Sequence, residues 1–201
     1  MAARIDYIFT PVSPWAYLGA PQFNAMVAKY GADVKVMPVD LGKVFSVSGG
    51  LPLAKRPPQR QAYRLMELKR WRDFRGLPLN LQPKGFPVDA GLASRLITAT
   101  RELSQKQALD LSFAIGRAVW AEERNIADAE TLEEILNECG LDPARLFAAA
   151  DSDAVKAAYD ADTQKAMDIQ VFGAPTYILD GEMFWGQDRL DFLERAVAKA
   201  G

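Results

Sequence analysis

The sequence predicts an α/β fold in which a βαβ unit opens the chain, a ββα unit closes it, and a large all-helical insertion lies between them. Three observations carry that expectation. The apolar runs Arg4–Phe9 and Val34–Leu41 flank a segment of helical spacing, and two short strands joined by a helix form a parallel pair. Residues 59–150 hold one run of helical spacing after another. Thr176–Asp180 and Glu182–Trp185 are apolar runs that meet at Asp180-Gly181, a hairpin signal, and an amphipathic segment follows them. The division implied is residues 1–58 with 151–201 for the α/β part and 59–150 for the insertion.

In the first strand Ile5, Tyr7 and Phe9 alternate with Asp6 and Ile8, a pattern with few polar interruptions that suits a buried position. Ser13-Pro14 then marks a helix start, because serine is a favoured N-cap and proline a favoured first helical residue. The first amides of a helix lack internal partners and carry the positive end of its dipole, so the Ser13 hydroxyl lies beside a place that favours an anion. Read locally, Ser13 is first of all a cap. The helix is predicted over Pro14–Tyr30, with a kink near Gly19–Pro21 and a stop at Gly31. Pro38 puts the second strand at an edge or a bulge, or ends its regular pairing.

Gly42–Arg60 reads as a long loop, rich in glycine and proline, with Lys43, Lys55, Arg56 and Arg60 and no acid between Asp40 and Glu67. Long loops inside compact domains are often binding loops, and a basic one attracts a small anion; a plain solvated loop fits equally well. Gln59–Arg75 is helical, with Ala62, Leu65, Met66 and Lys69 on one face. Gly76–Val88, with Pro78, Pro83, Gly85 and Pro87, is extended or turned. Further helices are predicted over Val88–Leu103, from Ser104 to Ala121, and over Asp128–Cys139, where Thr131-Leu-Glu-Glu134 offers a capping box. Short helices fill Asp142 to Gln170, and a last helix begins near Asp188 with Leu190, Leu193 and Val197 on its core face.

Composition removes whole classes of chemistry. There is no histidine, which excludes Ser-His-Asp and Cys-His catalysis and histidine metal sites, and no metal is expected. A single cysteine excludes an internal disulfide and any Cys-x-x-Cys pair. Leu132, Ile135, Leu136 and Cys139 share one apolar stripe, and Gly140 follows as a C-cap. Burial and a helix C-terminus both disfavour a thiolate, so Cys139 reads as structural. The net charge of −2 argues against nucleic-acid binding. Asp6 breaks the first apolar run, no later run approaches a membrane span, and a soluble, cytoplasmic protein is expected.

Three motifs in this order, Ser13-Pro-Trp-Ala-Tyr-Leu-Gly19, Val171-Phe-Gly-Ala-Pro-Thr176 and Asp180-Gly-Glu-Met-Phe-Trp-Gly-Gln-Asp-Arg-Leu190, carry a resemblance that covers nearly the whole chain. The chain resembles the kappa-class glutathione transferases and, more closely, the 2-hydroxychromene-2-carboxylate isomerases. That resemblance implies a thioredoxin-like fold with Ser13-Pro14-Trp15-Ala16 where thioredoxins carry Cys-x-x-Cys. It implies glutathione as cofactor, with its sulfur at Ser13 beside Pro14 and Trp15. It makes Pro175 a cis-proline facing Ser13, Ala174 a backbone partner of the tripeptide, and Gln187 and Asp188 contacts to its ends. It further implies a small aromatic carboxylate as substrate and a homodimer. The transferases carry an asparagine in the loop after the second strand, and none occurs in Ser48–Pro58. Lys43, Arg56 or Arg60 is left to replace it or to bind the substrate carboxylate. A transferase for other electrophiles, and a thioredoxin-like binding protein without chemistry, are the alternatives.

Overall fold

The computed structural model describes residues 3–200. Its elements are β1 (Arg4–Phe9), α1 (Pro14–Tyr30), β2 (Asp33–Pro38), α2 (Leu41–Ser48), α3 (Pro58–Arg75), α4 (Gly91–Arg101), α5 (Gln105–Trp120), α6 (Ala129–Glu138), α7 (Pro143–Asp151), α8 (Asp153–Asp168), β3 (Thr176–Leu179), β4 (Glu182–Trp185) and α9 (Leu190–Ala200). The strands form one mixed sheet in the order β2-β1-β3-β4, with β1 parallel to β2 and antiparallel to β3. The thioredoxin-like α/β architecture with a helical insertion is therefore present.

Alternation along β1 sorts two cores onto the two faces of the sheet. Tyr7 stacks on Phe9 at 4.4 Å and on Tyr177 at 5.2 Å between ring centroids, and Phe23 of α1 tilts across both tyrosines. Burial pushes both tyrosine hydroxyls up in pKa, so neither is an acid at working pH. The same buried cluster continues into Leu96, Ile97, Leu111 and Ile115 of α4 and α5. The helical insertion thus shares the core of the α/β part, and the division at residues 58 and 150 is one of chain topology rather than of separate cores. On the opposite face Ile8, Met37, Val39, Val44, Ala166 and Val171 form a smaller cluster under α2 and α8.

That second cluster explains the main departure from the sequence reading. Residues 42–48 of the expected loop belong to helix α2. The Asp40 carboxylate accepts from the Gly42 and Lys43 amides, which starts the helix, and the buried Val44 pins it to the sheet. The strand expected to reach Leu41 accordingly ends at Pro38. Helix α1 runs without a break through Pro21, which forfeits only its bond to the Tyr17 carbonyl while Tyr17, Leu18, Phe23 and Met26 stay buried. Helix α4 begins at Gly91 rather than Val88, behind an Asp89 side chain that accepts the Gly91 amide. Thr131 lies inside α6, whose N-cap is Asp128, so the expected capping box does not form. On α3, Ala62, Met66 and Lys69 are exposed and Leu68 is buried instead, because the inner side of this helix faces a cleft.

β2 is an edge strand, and the insertion covers its edge. The Val36 amide donates to Gln105 Oε1 at 2.9 Å and its carbonyl accepts from Arg101 Nη1 at 2.8 Å. Arg101 also pairs with the buried Asp162 of α8, which Lys35 of β2 reaches at 3.0 Å. Unpaired edge groups are thereby satisfied, and α4, α5 and α8 are fastened to the sheet. Arg101→Leu removes the edge bond and leaves Asp162 with Lys35 alone. A loss of about 3 kcal/mol in urea-unfolding stability is expected, and a change under about 0.5 kcal/mol would show the contact to be incidental.

Candidate active site

A cleft of about 870 Å³ opens at the start of α1. Its floor is Thr10–Trp15, one side is the Gly173–Ala174 turn with Trp185–Arg189, and the other is α2, the 51–56 segment and α3. The floor forms as the Ser13-Pro14 signal implies: the Ser13 hydroxyl accepts the Ala16 amide at 3.3 Å, and α1 has no acid in its first turn. Ser13 is buried, and its hydroxyl also makes a long contact to the Ala174 carbonyl at 3.5 Å. The Ala174-Pro175 peptide is cis. Pro175 is itself buried behind the lining, and its carbonyl accepts the Gly186 amide at 2.9 Å.

The insertion holds this floor in place. Trp120, fully buried, donates through Nε1 to the Val12 carbonyl at 3.3 Å, and the Tyr17 hydroxyl donates to the Pro78 carbonyl at 2.9 Å. Gly19 lets the closing segment approach α1: a Cβ there would sit 2.7 Å from Gln187 Cβ. Gly186, at φ +98°, turns the chain into a short 3₁₀ turn at Gln187–Arg189.

Of the residues the sequence singled out, Ser13, Pro14, Trp15, Ala174, Gln187, Asp188, Arg56 and Arg60 line one cleft. Lys43 does not. It lies on the exposed side of α2 with its ammonium 2.9 Å from Asp160, which corrects its proposed place at the substrate. The helix that replaces the expected loop is what turns Lys43 away. Cys139 caps the far end of α6, half-buried and outside the lining, and burial, then Glu138, raises its pKa. Among the described residues no cluster of His, Cys, Asp or Glu could hold a metal ion.

Two arginines of the site escaped the sequence reading. Arg64 lines the cleft, four residues beyond Arg60 on α3, and that spacing alone could have flagged it. Arg75, at the end of α3, donates to Gln187 Oε1 from Nε at 3.1 Å and from Nη2 at 2.7 Å, to the Gln187 carbonyl at 3.2 Å, and to Gln22 of α1. Nothing local in sequence marks Arg75, since two arginines in a last turn read as complements to the helix dipole. With its carbonyl oxygen taken, the Gln187 side chain keeps its amide hydrogens for other partners. Asp188 pairs with Arg189 at 2.9 Å and is partly exposed.

The sheet order, the helical insertion and the serine-started α1 facing a cis-proline turn define a thioredoxin-fold protein without the redox cysteines. The chain belongs to the DsbA-like thioredoxin domain family, which matches residues 4–198. The 2-hydroxychromene-2-carboxylate isomerase of Pseudomonas putida is 30% identical over 198 residues, 97% of this chain and 94% of that protein. Glutathione S-transferase kappa 1 of Caenorhabditis elegans is 24% identical, over 94% of this chain and 88% of its own. The structure of a selenomethionine 2-hydroxychromene-2-carboxylate isomerase is similar with a TM-score of 0.77 at 26% identity, covering 98% of this chain and 95% of that one.

Arg75→Met leaves the buried Gln187 oxygen without its donors. Urea unfolding should show a loss of about 1–3 kcal/mol, and Arg75→Lys should recover part of it by restoring one donor. Full stability in Arg75→Met would show that Gln187 repacks without the clamp.

Proposed function

We propose that the protein is a glutathione-dependent cis–trans isomerase that interconverts 2-hydroxychromene-2-carboxylate and trans-o-hydroxybenzylidenepyruvate. The observation that carries this reading is the cleft itself, where a serine-capped helix start faces Ala174-Pro175 and an arginine-bearing, aromatic wall stands across from it. The isomerase relatives support the reaction and the kappa relative supports glutathione.

The lining fits a tripeptide thiol. The α1 amides and the Ser13 hydroxyl suit a sulfur anion, Ala174 offers its backbone groups at the turn before the cis-proline, and Asp188 suits an ammonium group. A cleft of about 870 Å³ has room for an aromatic acid beside the tripeptide. When bound, glutathione supplies a nucleophilic sulfur able to add reversibly to a conjugated carbon and so free the neighbouring bond to rotate.

The chain's own residues bind, orient and polarise. Ser13 is a poor nucleophile, since no histidine exists to take its proton and its hydroxyl contacts only the Ala174 carbonyl and the Ala16 amide. Its hydroxyl accepts the Ala16 amide, but its proton makes only a 3.5 Å contact to the Ala174 carbonyl and can instead turn to an anion at the helix start. Gln187, clamped by Arg75, presents its amide hydrogens, and the arginines of the wall meet the carboxylate of the acid. A glutathione transferase acting on other electrophiles is the second reading, favoured by the kappa relative and opposed by the missing asparagine in Ser48–Pro58. The proposal extends to a cytoplasmic protein and to a homodimer, for which Met66 and Phe74, 50% and 75% exposed on α3, offer apolar surface.

Ser13→Ala should lower isomerase turnover by about 10²–10³ while costing only about 1 kcal/mol of stability. An undiminished rate would remove Ser13 from the mechanism. S-methyl glutathione retains the peptide contacts and blocks the sulfur; it should compete with glutathione and support no isomerisation. Turnover with it at the glutathione rate defeats the sulfur chemistry. Cys139→Ser, remote from the cleft, should keep full turnover, and loss of activity in the folded variant would mean that the protein uses its own thiol.

A further inference from the structure

The cations lining the cleft are not equivalent. Arg189 is paired with Asp188 at 2.9 Å. Arg56 donates through Nε to the Leu51 carbonyl at 2.8 Å, tying down its own loop. Arg60 stands at the exposed start of α3. Arg64, one turn deeper on the same helix, is half-buried, and its guanidinium lies 5.6 Å from the Trp120 ring and 5.8 Å from the Phe86 ring. Trp120 is fixed in turn by its bond to the Val12 carbonyl, next to Ser13. Arg64 therefore stands on a rigid aromatic support that leads directly to the start of α1.

Among the described residues no carboxylate forms an ion pair with Arg64. Burial, and then the neighbouring Arg56, lower it to about 10, so it stays charged at neutral pH. A partly desolvated cation without an anion is unfavourable, and an entering carboxylate relieves it. The planar guanidinium fork matches a carboxylate, and Tyr63, Trp71 and Phe86 on the same side of the cleft provide apolar surface for a flat ring.

Resting on the isomerase reading, we propose that Arg64 receives the carboxylate of a planar aromatic acid and sets the specificity of the cleft for anionic over neutral aromatics. Arg56 then shapes the loop and Arg60 guards the entrance. The guanidinium is held by ring faces rather than by an acid, which leaves its donors for whatever enters.

The test is calorimetric and needs no turnover. Wild-type protein with glutathione present is titrated with 1-naphthoate and with the neutral 1-naphthamide. Naphthoate should bind more tightly. Arg64→Met should weaken naphthoate by about 10–100-fold, leave naphthamide and glutathione within about threefold, and erase the preference for the anion. Arg64→Lys should keep a reduced preference and also controls for folding. Wild-type protein that does not prefer naphthoate overturns the proposal. So does unchanged naphthoate binding in Arg64→Met, or a matching loss of glutathione affinity, which would assign Arg64 to the tripeptide. Turnover of the chromene acid, measured separately, reports on the isomerase reading: naphthoate discrimination without turnover refutes that reading and leaves Arg64 as the anion site.

Discussion

The start of α1 has to remain open to the cleft while every other side of it is buried. Its first amides are the source of positive potential in the floor, which an internal acid would offset, and α1 has none in its first turn. The chain holds the helix start in place from three directions. Trp120 holds the Val12 carbonyl, Pro78 accepts from Tyr17 on the next turn, and Gly19 lets Gln187 close against the helix. Two of these come from the insertion and one from the closing unit. The position of Ser13 is thus a property of the whole fold, and the core shared between insertion and sheet is what makes it rigid.

The arginines show how one side chain type is put to different uses by burial and partner. Arg101 is buried against Asp162 and the β2 edge, and it serves the fold. Arg75 spends its donors on Gln187 and Gln22 and joins three separate parts of the chain at the cleft wall. Arg64 is supported by aromatic rings and keeps its donors for a ligand. The guanidinium is suited to all three because its charge is permanent and its flat fork can stack and donate at once. Lys43, a point charge on a flexible stem, is drawn outward to Asp160.

The absence of histidine and the remoteness of Cys139 give the cleft an unusual economy: it has donors, cations and ring surfaces and no strong nucleophile of its own. On the proposed reading, such a site stabilises an anion that something else provides.

Local patterns settled the elements whose cause is local. The β1 alternation, the Ser13-Pro14 helix start, the Gly31 stop and the Asp180-Gly181 turn each rest on a few adjacent residues, and each forms as the sequence implies. The resemblance carried by the three motifs likewise named Ser13, Ala174 and Gln187, which line one cleft at the ends of elements that the sheet brings together. What the tertiary structure alone decided has causes that are distant in sequence. Helix α2 exists because Val44 finds the second core under α8, a contact no glycine-rich stretch announces. Lys43 lies outside the cleft because that helix turns it toward Asp160, and Arg75 comes to back the cleft wall because Gln187, 112 positions away, folds back onto α1. Charged side chains are placed by where their counterparts end up in space, and spacing along a chain carries no information about a partner on another element.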